Sequence, residues 1–265
     1  MTHDPYQTAE GVRWSELKVL GRSPRHYRHR LDNEERPDTI YLRLGRFVHA
    51  LILEPELADE QYVVFDGKVR RGKAFEAFKA ELEDEPEILL ESEYRNGVDM
   101  AAAVLDDPVA REALHGAKET PVFWTDEKTG LLCKAKPDAV NGRICDLKTA
   151  NSDAYGPDRF WRQARRLGYH GQLAHYKAGL EANGYVADDE PAFVVVESVP
   201  PYDVAVYRAP PAMIAEGESL RRSLLDQLAW CLDHDLWMGA TAGQETELYW
   251  PEPLDGGVTF GGQAI

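Results

Sequence analysis

Two short strings, Lys136-Pro137-Asp138 and Asp146-Leu147-Lys148, fall within the most β-prone part of the chain and set its two aspartates eight positions apart. Pro121 to Ala150 reads PVFWTDEKTGLLCKAKPDAVNGRICDLKTA, rich in β-formers and punctuated at Lys128-Thr129-Gly130 and Asn141-Gly142. That pattern predicts three antiparallel strands in a meander. On adjacent strands two carboxylates can grip a hard divalent cation, and Lys148, two positions past Asp146, shares its face. Carboxylate, carboxylate and lysine at one spot suit phosphodiester hydrolysis, in which charge on the phosphate must be offset and a water oriented. The register is demanding. A two-residue Asn141-Gly142 loop would send Asp138 and Asp146 to opposite faces. A common face requires an odd-length loop, such as Val140-Asn141-Gly142 with the glycine left-handed, or another bulge. Alone, Asp-x-Lys is a frequent accident, and a hairpin with exposed acids and a salt-bridged lysine gives the same string.

The flanking sequence is helical on both sides. WSELKVLGRSPRHYRHRL predicts a helix broken at Ser23-Pro24, and TIYLRLGRFVHALILEPE an apolar helix closed by Glu54-Pro55. From Gly72 to about Leu114 charged and apolar residues alternate at helical spacing, which reads as a helical insertion or arm. After the meander, FWRQARRLGYHGQLAHYKAGLEANG predicts a helix ending at Asn183-Gly184. The strands PAFVVVESV and YDVAVYRA follow, then a helix from about Pro211 to Asp235, then an irregular tail, WPEPLDGGVTFGGQAI.

Gln172 and Tyr176 stand at i and i+4, within reach of one neighbour, some two dozen residues after Asp-x-Lys. Just upstream runs a basic segment, Arg159, Arg162, Arg165 and Arg166, interleaved with Phe160 and Trp161. Arg22 and Arg25 belong to a second basic cluster, and Lys68 to Lys73 hold a third. These runs matter because the whole chain opposes them: 46 acidic against 30 basic residues give a formal charge of −16. Taken alone that sum predicts poor attraction to nucleic acid, but acids on the outside also confine a polyanion to a basic channel. Three cysteines without CxxC or Cys/His spacing read as reduced thiols. No apolar run approaches the roughly 20 residues needed to span a bilayer. The first residues lack the apolar core of a secretory signal, so no membrane association and a cytoplasmic location are expected.

Taken together these motifs resemble the PD-(D/E)xK nuclease superfamily, in its RecB-type branch marked by PD, (D/E)xK and QxxxY. The nearer likeness is to the phage and prophage exonuclease VIII (RecE) group, over most of the chain. It rests on Pro137-Asp138, Asp146-Leu147-Lys148-Thr149 and Gly168-Tyr169-His170-Gly171-Gln172 with Tyr176. Ser23-Pro24 with Tyr27, the run from Leu44 to Pro55, and Glu197 with Pro200-Pro201-Tyr202 add to it.

The resemblance implies an α/β fold with an αβββαβ core, a mixed central sheet flanked by helices, plus N-terminal helices and a helical insertion. One domain, 1–265, is expected: a helical portion and insertion at 1–118, a catalytic core at 119–210, and a helix and tail at 211–265. The implied activity is a Mg²⁺-dependent exodeoxyribonuclease that degrades double-stranded DNA 5′ to 3′ and leaves 3′ single strands for recombination. Mn²⁺ is expected to substitute. Asp138, Asp146 and Lys148 become the catalytic set, with Gln172 and Tyr176 supporting it. His49, Asp138 and Asp146 become metal ligands, and Glu119 an additional acid. Arg159, Arg162, Arg165, Arg166, Arg22 and Arg25 are expected on DNA. Asp146 departs from the commoner glutamate and shortens the reach. Three cysteines fall short of the four ligands of an iron–sulfur cluster, so none is expected. A homo-oligomeric ring, trimer or tetramer, a single-strand annealing partner and a bacterial host cytoplasm complete the expectation. Open alternatives are another metal-dependent nuclease, endonucleolytic or single-strand specific, and an inactive DNA-end-binding protein.

Overall fold

The computed structural model describes residues 5–33, 39–83, 86–186, 190–248, 259–260 and 263–264. A short α1 (Pro5–Thr8) precedes α2 (Trp14–Leu20) and α3 (Pro24–Asp32). The expected break falls at Ser23-Pro24 because proline suits a first helical position and the Ser23 hydroxyl accepts from the His26 N–H. Helix α4 (Ile40–Leu53) begins under a Thr39 cap and buries Leu44, Phe47, Val48 and Ile52. Pro55 then opens α5 (Pro55–Gln61).

The helical arm expected from Gly72 to Leu114 proves to be a packed unit. It comprises β1 (Tyr62–Phe65), α6 (Lys73–Ala80), β2 (Glu87–Leu90), α7 (Glu91–Asp106) and α8 (Pro108–Ala113). The two strands pair in parallel with α6 as their crossover. Helix α7 shares a core with α4, where Met100, Ala101 and Val104 meet Leu44 and Val48. Apart from the buried Glu93, its charged positions lie toward solvent on a core helix, and four-residue strands are too short for their alternation to stand out. Arg43 on α4 lies 3.3 Å from Glu87 and 3.6 Å from Glu93, and Arg46 and Arg70 bind the same two acids, so an ion-pair network seats this unit on α4.

The strand region holds β3 (Ala117–Lys118), β4 (Val122–Thr125), β5 (Leu132–Ala135), β6 (Ala139–Val140) and β7 (Ile144–Ala150). It forms two hairpins in different sheets, β4 with β5 and β6 with β7, rather than one meander. Pro137 lies between β5 and β6, lacks an N–H for the ladder, and is where the strand changes sheets. In the second hairpin Ala139 faces Cys145 and Val140 faces Ile144, leaving Asn141-Gly142-Arg143 as the loop with Gly142 at φ 64°. The loop is odd-length, as a shared face demands, but sits one residue later than Val140-Asn141-Gly142.

After β7 come α9 (Ser152–Tyr155), α10 (Pro157–Leu167) and α11 (Tyr169–Ala182), the last two divided where Gly168 adopts φ 75°. They return the chain to β8 (Ala192–Glu197), parallel to β7, and β9 (Val204–Arg208) closes the edge. The five-stranded mixed sheet runs β3-β6-β7-β8-β9. Every residue of β8 is buried, as a strand covered on both faces requires. Phe193 and Val195 join one core with Trp14, Leu173 and Phe160, while Val194 and Val196 join the other with Leu44 and Val48. Helix α12 (Pro211–His234) packs against α11. The tail is not wholly irregular: β10 (Thr259–Phe260) pairs with β11 (Gln263–Ala264), and the rest of it lies outside the described residues. Nor is 1–118 wholly helical, since β1, β2 and β3 fall there. Among the described residues, no helix is long and apolar enough to cross a membrane.

Candidate metal and catalytic centre

Strand alternation places the centre. Ile144 and Ala150 on β7 belong to the core beneath α10 and α11, so Asp146 and Lys148 between them share that face, whereas Cys145 and Leu147 enter the other core. Extending the β6–β7 register by one residue sets Asp138 opposite Asp146. Asp138 Oδ2 accepts the Leu147 N–H at 2.6 Å, fixing its carboxylate, and Lys148 Nζ forms an ion pair with Asp146 Oδ2. Asp146 is fully buried, and its Oδ1 has no hydrogen-bond partner. Burial pushes the Asp146 carboxyl up to about 6; Lys148 opposes the rise and Asp138 adds to it. Burial likewise raises Asp138. For Lys148 burial disfavours the charge, yet the Asp146 and Asp138 carboxylates prevail and hold its ammonium above the ordinary lysine value.

His49 and Glu119 join from elements far away in sequence. His49 lies on α4, half-buried, with Nδ1 3.6 Å from Asp138 Oδ2. Burial first and the Lys148 charge second lower its pKa to about 4, leaving a neutral imidazole able to donate a lone pair. Glu119 follows β3 with φ 48°, a strained backbone for a residue with a side chain, and its N–H donates to the Asp138 carbonyl at 3.2 Å. Burial and the Asp138 charge push its carboxyl up to about 7, against the pull of Lys136 Nζ 2.9 Å away. One ligand atom each from His49, Glu119 and Asp138 fall within 4.8 Å of one another. Glu119, placed only as an additional acid by sequence, is therefore in the cluster, while Asp146 stands beside it held by Lys148. An open cleft of about 400 Å³ lined by Tyr41, Arg46, His49, Tyr62, Glu119 and Thr149 gives access.

This donor set fits a divalent cation. Carboxylate oxygens predominate, one neutral imidazole is available, and a buried Asp146 oxygen lacks any partner. Three crowded carboxylates with raised pKa values are short of positive charge, which a cation would supply.

Helix α11 lines the other side. Gln172 Nε2 donates to Tyr176 Oη at 2.7 Å, and burial raises the Tyr176 hydroxyl well above its ordinary value, with Asp146 and Asp138 adding to the effect. Sequence reading passed over Tyr169 as a functional residue, although its i−3 spacing from Gln172 puts it on the same face. Its ring centroid lies 4.7 Å from Lys148 Nζ. Among the arginines expected on DNA, Arg159, Arg162, Arg165 and Arg166 are all exposed on α10. Arg159 lies 3.6 Å from Asp153, Arg165 donates to Glu216 at 2.8 Å, and Arg162 stacks 5.3 Å from the exposed Trp161 ring. Arg166 is near enough to Tyr169 to lower its hydroxyl, so the C-terminal end of α10 abuts the centre. Arg22 and Arg25 are exposed at the start of α3, where the Arg25 N–H donates to the Met238 carbonyl. Lys18 on α2, also passed over, lies near the centre: burial lowers it first, Lys148 lowers it further, and Asp146 opposes the fall.

A mixed sheet flanked by helices, with acids and a lysine meeting at β6 and β7, defines the PD-(D/E)xK nuclease fold. Within that class, residues 14–246 match the family described as "PDDEXK-like domain of unknown function (DUF3799)", and the chain belongs to it. The crystal structure of a "Putative exonuclease" from Eubacterium rectale has the same fold, with a TM-score of 0.64 at 16% identity over 95% of each chain. No curated protein matches the sequence. Family and fold together support a nuclease, a class that works with divalent metals.

Proposed function

We propose that this chain is a Mg²⁺-dependent deoxyribonuclease that degrades duplex DNA from its ends, 5′ to 3′. The observation that carries the reading is the meeting of Asp138, Asp146, Glu119, His49 and Lys148 at one spot from β3, β6, β7 and α4. His49, Glu119 and Asp138 would hold the cation, with Asp146 beside them able to contribute its unpartnered oxygen. When bound, the cation contributes Lewis-acid charge at the phosphoryl oxygen. Lys148, kept charged by its two aspartates, hydrogen-bonds and orients the attacking water and offsets charge developing on the phosphate. Gln172 and Tyr176 brace the carboxylates from α11, and the α10 arginines take backbone phosphates without reading sequence. End dependence, polarity and 3′ tails for a single-strand annealing partner in a bacterial cytoplasm follow from the likeness to the exonuclease VIII group. So does a closed ring, trimer or tetramer, which would let a chain of this size stay on duplex DNA.

Linear, nicked and closed circular DNA labelled at 5′ or 3′ ends tests the reading. Linear duplex should release 5′-terminal nucleotides with Mg²⁺ and none with chelator. Cutting of closed circles, or cutting with chelator present, would overturn it. Light scattering should give a trimer or tetramer; a monomer that digests processively would contradict the ring.

A separate result is expected from metal binding itself. Mn²⁺ should raise the melting temperature of the wild type and raise that of His49→Ala less. Tenfold weaker binding removes about 1.4 kcal/mol of ligand stabilisation at saturation. An undiminished Mn²⁺ shift on a lowered baseline would leave His49 as a core filler.

A further inference from the structure

We propose that Tyr169 is a positioning residue of this centre, holding the Lys148 ammonium against Asp146 with the face of its ring. The inference rests on the reading that Lys148 serves in cleavage. A lysine side chain is a point charge on a flexible four-carbon stem, carrying about 2 kcal/mol of rotamer entropy. In this site one ion pair, to Asp146 Oδ2, anchors its end, and a single contact leaves the ammonium free to swing about the carboxylate. The Tyr169 ring, with its centroid 4.7 Å from Lys148 Nζ, supplies a second point of restraint. A cation over an aromatic face is attracted by the ring quadrupole, by about 2 kcal/mol or more when desolvated, and the Lys148 side chain is only 13% exposed. Of three ammonium donors, one goes to Asp146 and one toward the ring, which leaves one for substrate or water.

The ring itself is held. Tyr169 is the first residue of α11, set there by the left-handed turn at Gly168. Phe193 and Phe160 pack around it, with ring centroids at 6.0 and 6.2 Å, and Tyr207 stacks on Phe160 at 5.3 Å. Gln163 on α10, the helix that carries the basic run, lies near enough to its hydroxyl to lower it against the effect of burial. Tyr169, Gln172 and Tyr176 occupy i, i+3 and i+7 of one helix, so the same face that braces the carboxylates also braces the lysine. A ring that merely filled the core would have no need to cover the ammonium.

The test has a structural and a kinetic arm. In the first, lysine ε-methylene signals are followed by NMR, with Lys148→Ala identifying the Lys148 resonance. Ring current should shift that signal upfield in wild type and in Tyr169→Phe, and return it to the ordinary position in Tyr169→Leu. In the second, single-turnover cleavage at saturating DNA should fall roughly tenfold in Tyr169→Leu, as loss of one such contact implies. DNA affinity measured with chelator should be unchanged, and Tyr169→Phe should stay within about twofold of wild type on the same grounds. Should Tyr169→Leu melt below the assay temperature, Tyr169→Met takes its place. An unshifted Lys148 signal in wild type, an undiminished rate in the aliphatic variant, or a Phe variant as slow as Leu would each overturn the proposal. An upfield Lys148 signal in a protein whose Lys148→Ala variant cleaves normally would keep the contact and sink the nuclease role of the lysine instead.

Discussion

Asp146→Asn is expected to cut DNA about 10²–10³ times more slowly than wild type, the usual loss when one preorganised charged group leaves a reaction centre. Its melting temperature should remain within about 4 °C, the shift that roughly 1 kcal/mol produces at this size. Two effects on stability oppose each other. Breaking a buried ion pair leaves Lys148 without its carboxylate, which is costly when nothing replaces the partner. Asparagine, however, keeps the shape and an oxygen that can accept from Lys148 Nζ. It also removes a buried charge whose pKa burial has driven up to about 6 and whose Oδ1 no donor satisfies. A carboxylate in that state is retained for what it binds, since burying it costs the fold free energy. Single-turnover cleavage and thermal melts on one preparation check both halves. Near-normal turnover in a folded Asp146→Asn protein would remove Asp146 from the centre.

The parts of this centre that were legible in the sequence are those that local rules fix. Asp138, Asp146 and Lys148 sit on a hairpin whose loop length follows from requiring a common face, and Gln172 and Tyr176 follow from helical spacing. The one-residue error in the loop arose because residues 140–142 and 141–143 both satisfy that parity. Face alternation is the same for both, so only the observed pairing of Ala139 with Cys145 and Val140 with Ile144 distinguishes them. His49 and Glu119 came from resemblance alone, because α4 and the turn after β3 reach Asp138 only through tertiary structure. Tyr169 was legible in principle, three residues before Gln172, but an aromatic at helical spacing is far more often core, and it is in part that. The parallel β1–β2 pair left no trace, since its strands lie 25 residues apart by register, Tyr62 to Glu87, and carry no alternation of burial to betray them. The sheet change at Pro137 was visible as a proline and unreadable as topology.

Gly217→Ala is expected to lower stability by about 3 kcal/mol or more, at the upper end of the cost of overpacking a core. Gly217 lies in α12 where that helix crosses α11. A methyl group there would sit 2.2 Å from the His170 carbonyl oxygen and 2.6 Å from its carbon. Both are backbone atoms, so relief requires moving α11 rather than rotating a side chain. Alanine would also gain about 1 kcal/mol of helix propensity over glycine, which is too little to offset the clash. Gly45 supplies the opposite case. It also stands inside a helix, but an added methyl would meet only Thr149 Oγ1, at an ordinary 3.5 Å. Propensity then acts alone, and Gly45→Ala should stabilise by up to about 1 kcal/mol. Because His170 lies between Tyr169 and Gln172, displacing α11 at Gly217 should also disturb the face that braces Lys148 and the carboxylates. Thermal melts should therefore separate the two variants in sign, with Gly217→Ala roughly 6–12 °C below wild type by the usual shift per kcal/mol. A Gly217→Ala protein as stable as wild type would show that α11 and α12 pack less closely than a glycine at that crossing implies.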